Sequence, residues 1–254
     1  MSFLYHVTRV LILSNTHEGS HPWPYTPSRP ALTVDVLLHC GDLMQVDGLS
    51  AFKKAMSNIR TIDAELKLVG ENVEVGDDIE EPLEDHKGCV FYLDEGTHTF
   101  TLNDGRTFSI YASLYTPAFG DYAFTYGDHA DRFNAGANPV LADVDIIMLH
   151  GPPAFPAYAD YTLDTACDGR HCGCEKLAKV VKRAQPKLHC FEHNHEGRGA
   201  VKMSWGDERL EEVSGVKEDA FEVVQVKKYR KGETMLVNAA MFGEDKEWID
   251  DMKV

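Results

Sequence analysis

Seven side chains able to bind a metal ion recur in one setting, just past the end of an apolar run: Asn15 and His17, Asp42, Asn72, His150, and His193 with His195. Imidazole nitrogen, carboxylate and amide oxygen together suit Zn, Mn or Fe. The number of donors suits two divalent ions joined by a shared carboxylate rather than one. Taken singly each residue is weak evidence, because a lone histidine after a strand is more often a hydrogen-bonded structural residue. The ordered set carries the reading: metal-assisted chemistry in one crevice.

The elements that must position these residues follow from apolar periodicity. Val7 to Leu13 is a β-branched run that stops at Ser14-Asn15-Thr16-His17. Val34 to His39 ends at Cys40-Gly41-Asp42, Glu65 to Val69 at Gly70-Glu71-Asn72, Val144 to Leu149 at His150-Gly151-Pro152-Pro153, and Lys187 to Phe191 at Glu192-His193-Asn194-His195. Helical patterns over Gly48 to Arg60 and Glu175 to Ala184 separate some of these strands, which gives an α/β architecture. In open α/β sheets the loops at the carboxyl ends of strands share one edge, so the seven donors are expected together. Further strand patterns at Val90 to Leu93, His98 to Leu102, Thr107 to Ala112, Phe221 to Tyr229 and Met235 to Met241, joined by turns such as Asn103-Asp104-Gly105, suggest a second sheet stacked on the first. Gly76 to Lys87, rich in acids, reads as a solvated loop or lid.

Composition limits the partners. The chain has 254 residues, 43% apolar, and its 25 Lys and Arg against 41 Asp and Glu leave a net charge of −16. It can bury a sizeable core, so a disordered or fibrous protein is excluded and a single domain over 1–254 is expected. An acidic surface repels phosphate backbones at long range, so a small-molecule substrate is expected rather than nucleic acid. The absence of a long apolar run and of a basic, apolar leader leads to an expectation of a cytoplasmic protein without membrane contact. The six cysteines read as reduced thiols. Cys167, His171, Cys172 and Cys174 lack the paired C-x-x-C spacing of structural zinc sites and read as a loop, and Cys40 and Cys190 as buried small apolar residues.

The order of these motifs resembles the calcineurin-like metallophosphoesterase superfamily, whose pattern runs D-x-H, G-D, G-N-H-D/E, a lone H and G-H-x-H. The resemblance covers the chain from about Val7 to about Phe242. It is closest to the small family that includes the mammalian brain and fetal-tissue metallophosphoesterase-domain proteins and many fungal relatives. The strings that carry it are Tyr111-Ala-Ser-Leu-Tyr-Thr-Pro-Ala-Phe-Gly-Asp121, His150-Gly-Pro-Pro153, Gly173-Cys-Glu-Lys-Leu177 and His193-Asn-His-Glu-Gly-Arg-Gly199. The resemblance implies a four-layer α/β/β/α sandwich. It also implies one ion on Asn15, His17 and His195, another on Asn72, His150 and His193, and Asp42 bridging them, with Asp42, Asn72 and His150 as catalytic residues. In such an enzyme the ions polarise a phosphoryl oxygen and activate a bridging water for in-line attack on phosphorus.

The departures from the pattern are specific. Asn15 stands where the family has Asp, removing one formal negative charge, so the ion there is expected to be held more weakly. Val73 stands where the family has its catalytic His, and an isopropyl group can neither donate a proton nor hydrogen-bond a phosphate oxygen. Glu192 replaces the Gly before His193. Glu71, Glu74 and Glu192 can in principle restore the lost charge, but as members of a large acidic set they read first as solvent-facing. Trp23 and Tyr25, in a proline-rich loop leaving the first motif, are read as pocket walls, with Tyr115, Val73 and Glu192 as further substrate-pocket candidates. Tyr115, Phe119, Tyr122, Phe124 and Tyr126 form an aromatic-rich segment that fits a pocket wall or core packing equally well.

Three functions remain open from these residues: a weakened or re-specialised hydrolase of small phosphodiesters or phosphomonoesters, a metal-assisted non-hydrolytic enzyme catalysing a cyclisation, elimination or isomerisation, and a non-catalytic ligand-binding protein.

Overall fold

A computed structural model describes residues 7–16, 23, 25–28, 30–43, 49–70, 90–118, 124–127, 129–213 and 232–240. In chain order its strands are β1 (Val10–Leu13), β2 (Val34–His39), β3 (Ala64–Val69), β4 (Val90–Tyr92), β5 (Gly96–Thr101), β6 (Thr107–Ser113), β7 (Thr116–Pro117), β8 (Thr125–Tyr126), β9 (Ile146–Leu149), β10 (Leu188–Phe191), β11 (Gly199–Ser204), β12 (Arg209–Glu212) and β13 (Glu233–Asn238). The helices are α1 (Leu49–Arg60), α2 (Arg132–Ala135) and α3 (Glu175–Ala184). This is a mixed α/β fold. Strands β1, β2, β3 and β4 form a four-stranded parallel sheet. A seven-stranded sheet runs in the order β12-β11-β13-β10-β9-β6-β5, parallel from β13 to β6 and antiparallel at both margins.

Alternation along the strands explains how the sheets pack, since successive side chains point to opposite faces. Val36, Leu38, Leu66 and Leu68 of the smaller sheet share one apolar cluster with Ile110, Ala112, Ile146, Met148 and Cys190 of the larger. The intervening residues face the other way. Leu37 and Val69 pack with Phe52, Ala55, Met56 and Ile59 of α1. Tyr111, Ile147, Leu149 and Phe191 pack with Leu177, Val180, Val181 and Ala184 of α3. That helix begins where the Cys174 sulfur accepts the Leu177 N–H at 3.4 Å and ends at Gln185 in the left-handed region.

The structure corrects the expected assignment of strands to sheets. The runs ending at Asn15, Asp42 and Gly70 lie in the smaller sheet, whereas those ending at His150 and Glu192 lie in the larger. The Val90 strand, expected in the second sheet, pairs with β3 in the first. Nearly every one of these strands is buried on both faces, so periodicity identifies them as strands without saying which neighbour they pair with. The metal-competent loops therefore meet across a seam between two stacked sheets, not along the edge of one. Among the described residues no helix is long and apolar enough to cross a membrane. The strand pattern at Phe221 to Tyr229 and the acidic stretch from Gly76 to Lys87 lie outside the described residues.

A buried histidine in this core makes stability depend on pH. His189 on β10 is fully buried, with Nδ1 3.1 Å from the Ile147 carbonyl, and burial pulls its pKa down from 6.5 to about 4. An unfolded chain takes up a proton near pH 6.5 that the folded one refuses, so stability is complete above that pH and declines as pH falls toward 4. The expected decline from this group is up to about 1.4 kcal/mol per pH unit. Urea unfolding of the wild type between these limits should show it, and His189→Gln should flatten the pH dependence by up to one proton.

Candidate functional site

The carboxyl ends of four strands deliver the site. β1 leads into Ser14 and Asn15, β2 into Gly41 and Asp42, β9 into His150, and β10 into Glu192 and His193. Backbone hydrogen bonds tie these turns in pairs: the Asn15 N–H donates to Gly41 O at 3.0 Å, and the Glu192 N–H to His150 O at 2.9 Å. Asn15, Asp42 and His193 all have positive φ, at 51°, 52° and 73°. Asn, Asp and His enter that left-handed region more readily than other side chains, and it turns each of the three out of line with its strand. Gly41, at φ 129°, serves closeness instead: a Cβ there would lie 2.5 Å from His150 Nδ1. That approach joins the two sheets at the seam.

The side chains converge. Asn15 Nδ2 lies 2.9 Å from His195 Nε2, and His193 Nδ1 lies 3.1 Å from His150 Nε2. His150 Nε2 is 3.9 Å from Asp42 Oδ1, and its Nδ1 is 3.2 Å from Glu192 Oε1. Asp42, Glu192 and His195 each offer a ligand atom within 4.8 Å of the others. Of the seven expected ligands, the structure thus brings Asn15, Asp42, His150, His193 and His195 into one crevice. His17 and Asn72, and with them Val73, Glu71 and Glu74, lie outside the described residues.

Glu192 departs from its solvent-facing reading. Its side chain is 0% exposed. Burial, then the adjacent Asp42 carboxylate, pushes its pKa well above the usual carboxylate range. Among the described residues, neither Glu192 oxygen has a well-formed hydrogen bond, nor do the Ser14 hydroxyl and Asn15 Oδ1, although all are buried. Buried acceptors are seldom left so, and several gathered beside imidazoles fit a divalent cation. His193 suits the same role, since burial, then the nearby His150 ring, lowers its pKa to about 4 and keeps its nitrogen lone pair available at neutral pH. Mn, Zn or Fe fits this mixed nitrogen and oxygen set. Cys40, beside Asp42, is buried, and burial followed by its contact with Cys190 pushes its pKa up, which holds it as a neutral thiol.

The remaining candidates lie partly or wholly against the apolar clusters. Trp23 and Tyr25 meet edge to face, with ring centroids 5.9 Å apart, and pack against the α1 cluster. Tyr115 packs against the α3 cluster beneath the Arg132 guanidinium, 3.3 Å from its ring centroid, and Arg132 is itself held by both oxygens of Glu95. Tyr126 is buried in the same core, and Phe119 and Tyr122 lie outside the described residues. His171 Nδ1 lies 2.7 Å from buried Asp164, and Cys167 and Cys172 are exposed, so this segment is a hydrogen-bonded loop.

Three supports were not foreseen. Asn194 donates to the Asp164 carbonyl at 2.5 Å, and Asn238 donates to Asn194 O at 2.7 Å and Leu163 O at 2.9 Å, which fixes the His193 to His195 turn. The strings Gly173-Cys174 and His150 to Pro153 prove to be neighbours. Cys174 N–H donates to Pro152 O at 3.0 Å, and a Cβ at Gly173 would lie 2.6 Å from Pro153 O. Amide side chains distant in sequence carry no local signal, so only the glycine hinted at this packing.

No model of a known protein family matches the chain. Among curated proteins it is 28% identical over 217 residues to metallophosphoesterase domain-containing protein 1 of Homo sapiens, a match covering 76% of this chain and 62% of that protein. It is 28% identical over 209 residues to a UPF0046 protein of Caenorhabditis elegans, covering 76% of this chain and 65% of the relative. It is also 26% identical over 210 residues to a probable rhamnogalacturonate lyase C of Emericella nidulans, covering 78% of this chain and 18% of that protein. The chain thus spans about six-tenths of the length of the first of these relatives.

Gly41→Ala tests the seam. The added methyl group both strains the positive φ and displaces the His150 ring, so a stability loss of about 1–3 kcal/mol is expected. Urea unfolding should show that loss, and calorimetric titration of the folded variant should show weaker Mn2+ binding than in the wild type.

Proposed function

Starting from the metallophosphoesterase family that its curated relatives support, we propose that the chain is a metal-dependent hydrolase of small phosphate esters, re-specialised at its acid position. The observation that carries this reading is the convergence of Asn15, Asp42, His150, Glu192, His193 and His195 across the seam of two sheets. Divalent ions held there supply polarisation of a phosphoryl oxygen and activation of water. Asp42 reaches toward both His150 and the Glu192–His195 side, which suits a bridging carboxylate. His193, neutral at physiological pH, needs no deprotonation to act as a ligand. The net negative charge of the chain disfavours polyanionic substrates and favours compact esters whose phosphate is neutralised inside the crevice.

Val73 defines the specialisation. With no proton donor at that position, esters with good leaving groups are the substrates that turn over, because their departure needs no acid. Val73→His should raise hydrolysis of alkyl phosphodiesters by roughly 10²- to 10⁴-fold and leave activated aryl esters almost unchanged. Steady-state assays with Mn2+ on paired alkyl and aryl substrates, repeated in the Asn15→Asp background, measure this. Background hydrolysis of both substrates by the metal-loaded wild type and by both variants would overturn the hydrolase reading.

A further inference from the structure

We infer that Glu192 is a metal ligand that takes over the anionic role lost at Asn15, so that the centre keeps its charge while the carboxylate has moved from the end of β1 to the end of β10. The inference rests on the metal-dependent reading above and goes beyond it to a residue that the family pattern does not supply, since that pattern places glycine there.

Two sequence departures are linked by the geometry. Asn15 and Glu192 stand 177 positions apart in numbering but on adjoining turns of one crevice, because Asn15 Nδ2 contacts His195 Nε2 at 2.9 Å and Glu192 lies within 4.8 Å of both His195 and Asp42. Glu192 therefore stands beside the ion that Asn15 and His195 would hold. A neutral amide there removes one negative charge; a carboxylate at 192 returns it. With Asp42 the donor set again carries two anionic groups, as the family pattern does with its Asp at the first motif.

Burial separates this from an ordinary surface acid. The Glu192 side chain is 0% exposed, and neither oxygen has a well-formed hydrogen bond among the described residues. The buried Asn15 Oδ1, without a hydrogen-bond partner among the described residues, belongs to the same turn as the lost carboxylate, and Ser14 of that turn lies beside Glu192. A buried carboxyl at the carboxyl ends of strands from both sheets, within 4.8 Å of Asp42 and His195 and 3.2 Å from His150 Nδ1, is placed to act as an anionic ligand once a cation is bound. The competing role is outer support, in which Glu192 only accepts a hydrogen bond from His150 Nδ1, 3.2 Å away.

The test is calorimetric titration of the 254-residue chain with Mn2+, together with Mn2+ electron paramagnetic resonance as a readout independent of turnover. Glu192→Gln should weaken binding by more than the roughly 10- to 100-fold that loss of an outer hydrogen-bond partner costs. The exchange variant Asn15→Asp/Glu192→Gly should recover most of that affinity, because it returns the carboxylate to the first motif. Binding unchanged in Glu192→Gln overturns the inference. So does a loss that the exchange variant fails to recover while remaining folded by circular dichroism, because that is the signature of outer support. If Glu192→Gln does not fold, the exchange variant alone decides: near-wild-type Mn2+ affinity supports relocation and its loss overturns it. A wild type that binds no Mn2+ would instead overturn the metal-dependent reading itself, so the two failures are distinct.

Discussion

The contact on which the site depends is the apolar layer between the two sheets. Val36, Leu38, Leu66 and Leu68 on one side and Ile110, Ile146, Met148 and Cys190 on the other hold the sheets in a single registration, because close-packed side chains leave little freedom to slide. With that registration fixed, the carboxyl ends of β1 and β2 open beside those of β9 and β10. Gly41 then lies against the His150 ring, and Asp42 from one sheet comes to within 4.8 Å of Glu192 and His195 from the other. The positive φ values of Asn15, Asp42 and His193 are ones these residue types accept, and each follows closely on a strand that fixes the chain just before the turn.

The interior of the crevice gathers buried polar groups from both sheets. Glu192 is fully buried beside the partly exposed Asp42, and this proximity together with burial favours a protonated Glu192 carboxyl when no cation is bound. A divalent cation held there, as proposed, would couple its binding to the stability of these turns.

Much of the skeleton was legible in the residues, for identifiable reasons. The β2 strand and the α3 helix have the boundaries their patterns indicated, because Val34 to His39 is a short apolar run closed by a glycine and Glu175 to Ala184 carries an unbroken apolar stripe. Assignment of strands to sheets was not legible, since strands buried on both faces have no polar side to orient them. The direction of Glu192 was hidden for another reason. A glutamate among 41 acids reads as solvent-facing until the His150 turn, contributed by a strand 42 positions earlier, closes over it. Trp23 and Tyr25 show the converse, because a proline-rich loop without periodicity still lays its rings on the α1 core. Amide supports such as Asn194 and Asn238 act only through backbone carbonyls brought near by folding, which no local pattern records.

The central claim is that the two sheets meet around a cation whose anionic ligand set has been rearranged. Anomalous diffraction from crystals grown with Mn2+ tests it most directly. The account predicts an anomalous peak between Asp42, His195 and Glu192, with a Glu192 carboxylate oxygen at bonding distance, about 2.2 Å. A crevice without a peak, or a peak whose ion lies beyond about 3 Å from both Glu192 oxygens, would contradict it.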